Sequence, residues 1–268
     1  MCKITRAVRL MCLLTACSIL LFCFSGCSDE PSLVRYDLSD WVESLDPQFA
    51  DEESEQLVIY NMMEGLMRQL PSGKLENGVI EGYEVSDDQT EYTFRLKSGM
   101  VWDDKDNTPV TAHDFVFAFR RIFNSIYPSP FASMYSSIRN SEQVLSGALP
   151  AEQLGVSAPD DLTVRFTLSR SDPAFLESLA HSSAMPCNQK LFEQANGKYG
   201  ATIQESYSNG PFYLMQWENG NRIYLKKTAT ITLRTRCSPP ASTCTWIGIF
   251  RPPFKRKRAN PLPPASSC

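Results

Sequence analysis

The chain has 268 residues, 43% of them apolar, enough for one large domain or two ordinary ones and too apolar for a disordered chain. Its formal net charge of −4 conceals three zones. Residues 28–228 hold all 30 acids against 16 of the 26 bases, so this body is acidic and excludes a nucleic-acid surface, whereas residues 1–27 and 229–268 contain no acid at all.

Residues 1–27 carry Lys3, Arg6 and Arg9, followed by an apolar run from Leu10 to Phe24. That layout is a secretory signal; a membrane-spanning helix is the alternative, but the run falls short of the roughly 20 residues that a bilayer core requires. Its end, Phe24-Ser25-Gly26-Cys27, resembles the lipobox of bacterial lipoproteins, with Phe24 where Leu is usual. The resemblance implies cleavage before Cys27, lipidation of its sulfur, and an exported protein anchored to the outer face of the cytoplasmic membrane.

In the body, alternation over Val34–Leu38 predicts a strand closed by Leu45-Asp46-Pro47. Apolar residues at helical spacing, Leu57 to Met67, predict a helix within Glu53–Leu70 with Ser54 available as its cap. Tyr92-Thr93-Phe94-Arg95-Leu96-Lys97 is a half-buried strand, and Thr111-Ala112-His113-Asp114 has the form of a capping box opening a helix over about 112–124. Phe115, Val116, Phe119, Ile122 and Phe123 form the buried stripe of that helix, with Arg120 and Arg121 near its C-terminus. Helices follow at Ser141–Ser146, Pro173–His181 and Asn188–Ala195, and strands at Leu162–Leu168 and Phe212–Trp217. The class is mixed α/β (α+β).

The acid-free stretch Ala229–Cys268 carries seven bases, seven prolines and three of the nine cysteines. It reads either as a basic interaction arm built on Lys255-Arg256-Lys257-Arg258 or, as its composition favours, as an aberrant, frame-shifted tail. Five further cysteines lie in the signal, which leaves Cys187 alone in the body without a disulfide framework. A Cys187–His181 nucleophile and a His113–Asp114 base or metal site are conceivable, but two histidines scarcely supply the partners such sites need. No phosphate loop, zinc spacing or nucleophile elbow occurs, so the expectation is a non-enzyme with no catalytic residue, metal or cofactor.

The body resembles the family 5 extracellular solute-binding proteins, which include oligopeptide-, dipeptide- and nickel-binding lipoproteins. The resemblance is sharpest over Tyr92–Trp102 and Thr108–Phe117, with support from Ser44–Pro47, Glu64–Leu66, Ser129–Ser133 and Asn209–Leu214. It implies a periplasmic-binding-protein-like type II clamp, of which this chain would supply a truncated first lobe, residues 28–228. It further implies an extracytoplasmic component of an ABC importer, monomeric, with the membrane permease and ATPase as partners and a short peptide as ligand; the alternatives are a truncated product that binds no ligand and a secreted hydrolase. Peptide contacts would come from Asp51, Phe131 and the backbone of Ser208, Asn209 and Gly210. Core packing for Phe131 and a solvated helix-start acid for Asp51 are the plainer alternatives.

Overall fold

The computed structural model describes residues 33–37, 40–218, 221–228 and 246–250, the first and last of these by their backbone alone. The signal, Cys27 and most of the tail lie outside the described residues. In chain order come β1 (Leu33–Asp37), α1 (Glu53–Met62), β2 (Met67–Gln69), β3 (Leu75–Asn77), β4 (Ile80–Val85), β5 (Glu91–Leu96) and α2 (Ala112–Ile122). After them follow α3 (Ser141–Leu145), β6 (Val156–Asp160), β7 (Thr163–Thr167), α4 (Phe175–Ser178), α5 (Gln189–Gln194), β8 (Phe212–Glu218), β9 (Arg222–Lys227) and β10 (Trp246–Phe250). The mixed class expected from the sequence is what is seen. Among the described residues no helix is long and apolar enough to cross a membrane.

Alternation in β5 turns Tyr92, Phe94 and Leu96 inward, and this single face organises the larger core. β5 lies between β4 and β7 in an antiparallel sheet of order β4-β5-β7-β6, and Phe94 stands opposite Tyr83 on one side and Val164 on the other. The buried stripe of α2 packs on this sheet. Phe119 meets Phe166 at 4.9 Å and Tyr135 at 5.0 Å, and Phe166 meets Phe175 at 5.3 Å. Each fully buried phenylalanine contributes about 1.5–3 kcal/mol, and edge-to-face contact adds specificity of position.

A second sheet has the order β1-β10-β9-β8, in which β10 runs parallel to β1 and antiparallel to β9. β10 comes from the acid-free stretch, where the sequence suggests no regular element. β2 and β3 make a separate hairpin.

The helix expected within Glu53–Leu70 stops at Met62, and Met63 is already extended. Gly65 and the buried Leu66 and Met67 continue the apolar pattern in extended chain. A buried run satisfies either period, so spacing alone placed the end too far. Ser54 is not the cap: Glu52 holds that position, and the Ser54 hydroxyl accepts from the Asp40 amide at 3.2 Å. The helix expected over Pro173–His181 shrinks to the one turn of α4, followed by a 3-10 turn at Ser182–Ala184.

Candidate functional site

α1 is a ten-residue rod, so its axis is about 15 Å long. Asp51 lies just before it, exposed, and without a partner among the described residues. Phe131 reaches the same end by a different route. Gln48, three residues before Asp51, accepts from the Ser129 hydroxyl at 2.5 Å through its carbonyl, and Ser129 Oγ accepts from the Phe131 amide at 3.1 Å. The Phe131 ring is half-buried and packs on His181 with centroids 4.8 Å apart.

Ser208, Asn209 and Gly210 sit at the other end. The Gly210 amide and the Ser208 hydroxyl both donate to the Met62 carbonyl, the amide at 2.8 Å. A side chain at Gly210 would bring Cβ within 2.5 Å of that carbonyl oxygen, so only glycine permits the approach. Asn209 clamps Glu64 from both sides, accepting from its amide at 3.1 Å and donating to its carbonyl at 2.9 Å. The Ser208 amide donates to Asp103 at 2.5 Å and its carbonyl accepts from the Asp103 amide at 2.9 Å. Most of the polar groups of this segment are therefore engaged within the fold, and among the described residues the Asn209 main chain is the part left for anything else.

The expected contacts are thus gathered at the two ends of one helix. Near the C-terminal end lie the exposed Tyr60, whose hydroxyl accepts from the Ser182 amide at 3.0 Å, and a pocket of about 310 Å³ bounded by Tyr60, Met63, Met67 and Met185.

The fold also assembles a buried cluster that the sequence did not disclose. Arg121 pairs bidentately with Asp46, donates to Gln48 Oε1 at 2.6 Å and to Cys187 Sγ at 3.3 Å, and lies 4.2 Å from the centre of the Phe192 ring. Burial alone would weaken its charge, but Asp46 more than offsets this and holds the guanidinium above its ordinary value. Gln48 completes the cluster by donating to the Ser183 and Met185 carbonyls at 3.1 and 2.9 Å. The one available signal was Ala118, a small residue between Asp114 and Arg121 on one helix face, which makes room for a second element.

None of this forms a nucleophilic site. Burial pushes the Cys187 thiol up to about 12, and its sulfur faces Arg121 and Tyr199 rather than a histidine. His181 Nδ1 is occupied by Ser183, and His113 is exposed and 3.4 Å from Asp161. Asp114 is buried and accepts from the Thr111 amide, Trp102 Nε1 and Asn188 Nδ2 at 3.0, 3.0 and 2.9 Å, a structural junction rather than a base. Among the described residues no cluster of His, Cys, Asp and Glu could hold a metal ion.

The chain is similar to known proteins over most of its body. The family model described as bacterial extracellular solute-binding proteins, family 5 Middle, matches residues 74–230. The periplasmic oligopeptide-binding protein OppA of Salmonella typhimurium is 35% identical over 202 residues, covering 75% of this chain and 36% of that protein. The oligopeptide-binding protein OppA of Bacillus subtilis is 32% identical over 185 residues, 69% of this chain and 33% of that one. The substrate-binding domain of an oligopeptide ABC transporter from Bacillus anthracis superposes with a TM-score of 0.73 at 27% identity, covering 83% of this chain and 42% of that structure. The chain spans about a third of the length of the curated relatives it matches. The extent of the family match and the shared architecture together place the chain in the bacterial extracellular solute-binding proteins of family 5.

Proposed function

We propose that this chain is part of an extracytoplasmic substrate-binding component of an ABC importer, one that captures short peptides and performs no chemistry on them. The observation that carries the reading is the spacing along α1. Its length of about 15 Å corresponds to four or five residues of extended chain, with Asp51 and Phe131 at one end and the Ser208–Gly210 segment at the other. An exposed carboxylate, an aromatic wall and a rigid glycine-containing turn suit a ligand held largely by its main chain. On this reading Cys27 carries the lipid anchor, the protein acts as a monomer beside its permease and ATPase, and neither cofactor nor metal takes part.

Isothermal titration of the purified protein with di-, tri-, tetra- and pentapeptides tests the proposal. Saturable binding that strengthens up to four or five residues is expected, and Phe131→Ala weakens it about tenfold with the fold intact. Absence of binding to every peptide refutes it.

We further propose that residues 229–268 are translated out of frame. The support is the acid-free composition of this stretch beside the end of the family match at residue 230. Translating the coding DNA beyond codon 228 in all frames is expected to give an acidic, Tyr- and Trp-containing continuation in another frame; closed frames throughout overturn the reading.

A further inference from the structure

We propose that the pocket at the C-terminal end of α2 binds a small aromatic carboxylate, at a site that shares no residue with those assigned above to a peptide. The pocket measures about 400 Å³, within the range of small-molecule sites, and Phe49, Phe117 and Phe192 line it together with Tyr127, Arg120, Arg121 and Glu152.

The aromatic wall is fixed from within the fold. Phe192 meets Phe117 edge to face with centroids 5.5 Å apart, and the Arg121 guanidinium lies 4.2 Å from the centre of the Phe192 ring and 5.5 Å from that of Phe49. Asp46 and Gln48 hold that guanidinium, so the rings are set in place before any ligand arrives. Tyr127 adds a further ring, 75% exposed, on a loop pinned by Asn124, whose Oδ1 accepts from the Ile126 and Tyr127 amides at 2.9 Å each. Rings arranged in this way take another flat ring, offset or edge to face.

The two arginines differ in what they leave free. Arg121 is committed to Asp46, whereas Arg120 Nε is shut off from solvent and has no acceptor among the described residues. A buried donor without a partner is costly, and nearly all such groups in folded proteins have one. A ligand oxygen beside Nε removes that cost, and a carboxylate adds charge to the bond. Glu152 is exposed, so water screens its repulsion of an anion, while Nε acts where water is excluded. An aromatic amine would instead bring its cation against Arg120.

Isothermal titration of the full chain with phenylacetate tests the site. Saturable binding is expected, about tenfold tighter than that of phenylacetamide, which lacks the charge, or of hexanoate, which lacks the ring. Arg120→Met should abolish the preference for acid over amide, and Arg120→Lys should not restore it, because an ammonium supplies charge without Nε. Glu152→Gln should tighten acid binding about twofold by removing a like charge, and Tyr127→Ala, an exposed change that leaves the core untouched, should weaken it about threefold. Absence of saturable binding, equal binding of the acid and either control, or an acid preference that survives Arg120→Met overturns the proposal. Displacement of phenylacetate by a tetrapeptide overturns it too, since the probe would then occupy the peptide site.

Discussion

Arg121 carries a full charge into the interior, where it is 9% exposed, and every element packed around it answers that charge. Asp46 supplies the counter-charge, Gln48 an amide oxygen, and Phe192 and Tyr199 the faces of their rings. Replacing one partner of such a pair strands the other. Arg121→Met should therefore cost about 3–5 kcal/mol in urea unfolding, and Asp46→Asn combined with it should cost less than the two separately. Arg121→Lys is not a conservative change, because an ammonium cannot reproduce the two-pronged contact with Asp46. Cys187 belongs to the same cluster, and its thiol, fully buried and raised to about 12, should be silent toward a thiol reagent in the native protein. Labelling that begins only when denaturant unfolds the chain is the expected result; rapid native labelling would contradict this environment.

At the scale of the element, α2 begins where Asp114 gathers the Thr111 amide, the Trp102 indole and the Asn188 side chain. Burial holds its carboxyl above the ordinary carboxylate value despite those three bonds. An unfolded Asp releases its proton near pH 3.9, whereas the folded one keeps it to a higher pH, so stability falls as pH rises through that window and is flat above it. Asp114→Asn should remove that component of the slope and cost about 1–2 kcal/mol, because the new amide group opposes the Asn188 amide. Urea midpoints measured from about pH 4 upward for both proteins check the sign.

The start of α2 was legible in the sequence because capping is local: Thr111 and Asp114 lie within one turn. β5 was equally legible, since its alternation is written in six consecutive residues. The end of α1 was not, because Leu66 and Met67 are buried in extended chain and keep the apolar spacing that a helix would show. β6 was missed because Ser157, Pro159 and Asp160 make a polar edge strand held mainly by its pairing with β7. Of the site, the resemblance suggested residues at both ends of α1, but the Arg121 cluster joins positions 46, 48, 121 and 187, and no local pattern joins residues so far apart.

Across the whole molecule the chain makes a long excursion and returns to its starting point. Glu64, just past α1, is bonded through its main chain to Asn209, and the Leu45 amide donates to the Gly200 carbonyl at 2.7 Å. The stretch between Gly65 and Ser208, which includes the sheet β4-β5-β7-β6 and α2, thus begins and ends at neighbouring points of the structure. Such closeness of ends is the mark of a module that can be inserted into, or lifted out of, a host. Here the lifting has a catch. Arg121 and Ser129 belong to the excursion, but their partners Asp46 and Gln48 stay behind. A gene fragment for residues 65–208 would orphan the Arg121 guanidinium and also uncover the core face on which Val58, Ile59 and Met62 pack, so it should show no cooperative melting by circular dichroism even with an apolar residue at position 121.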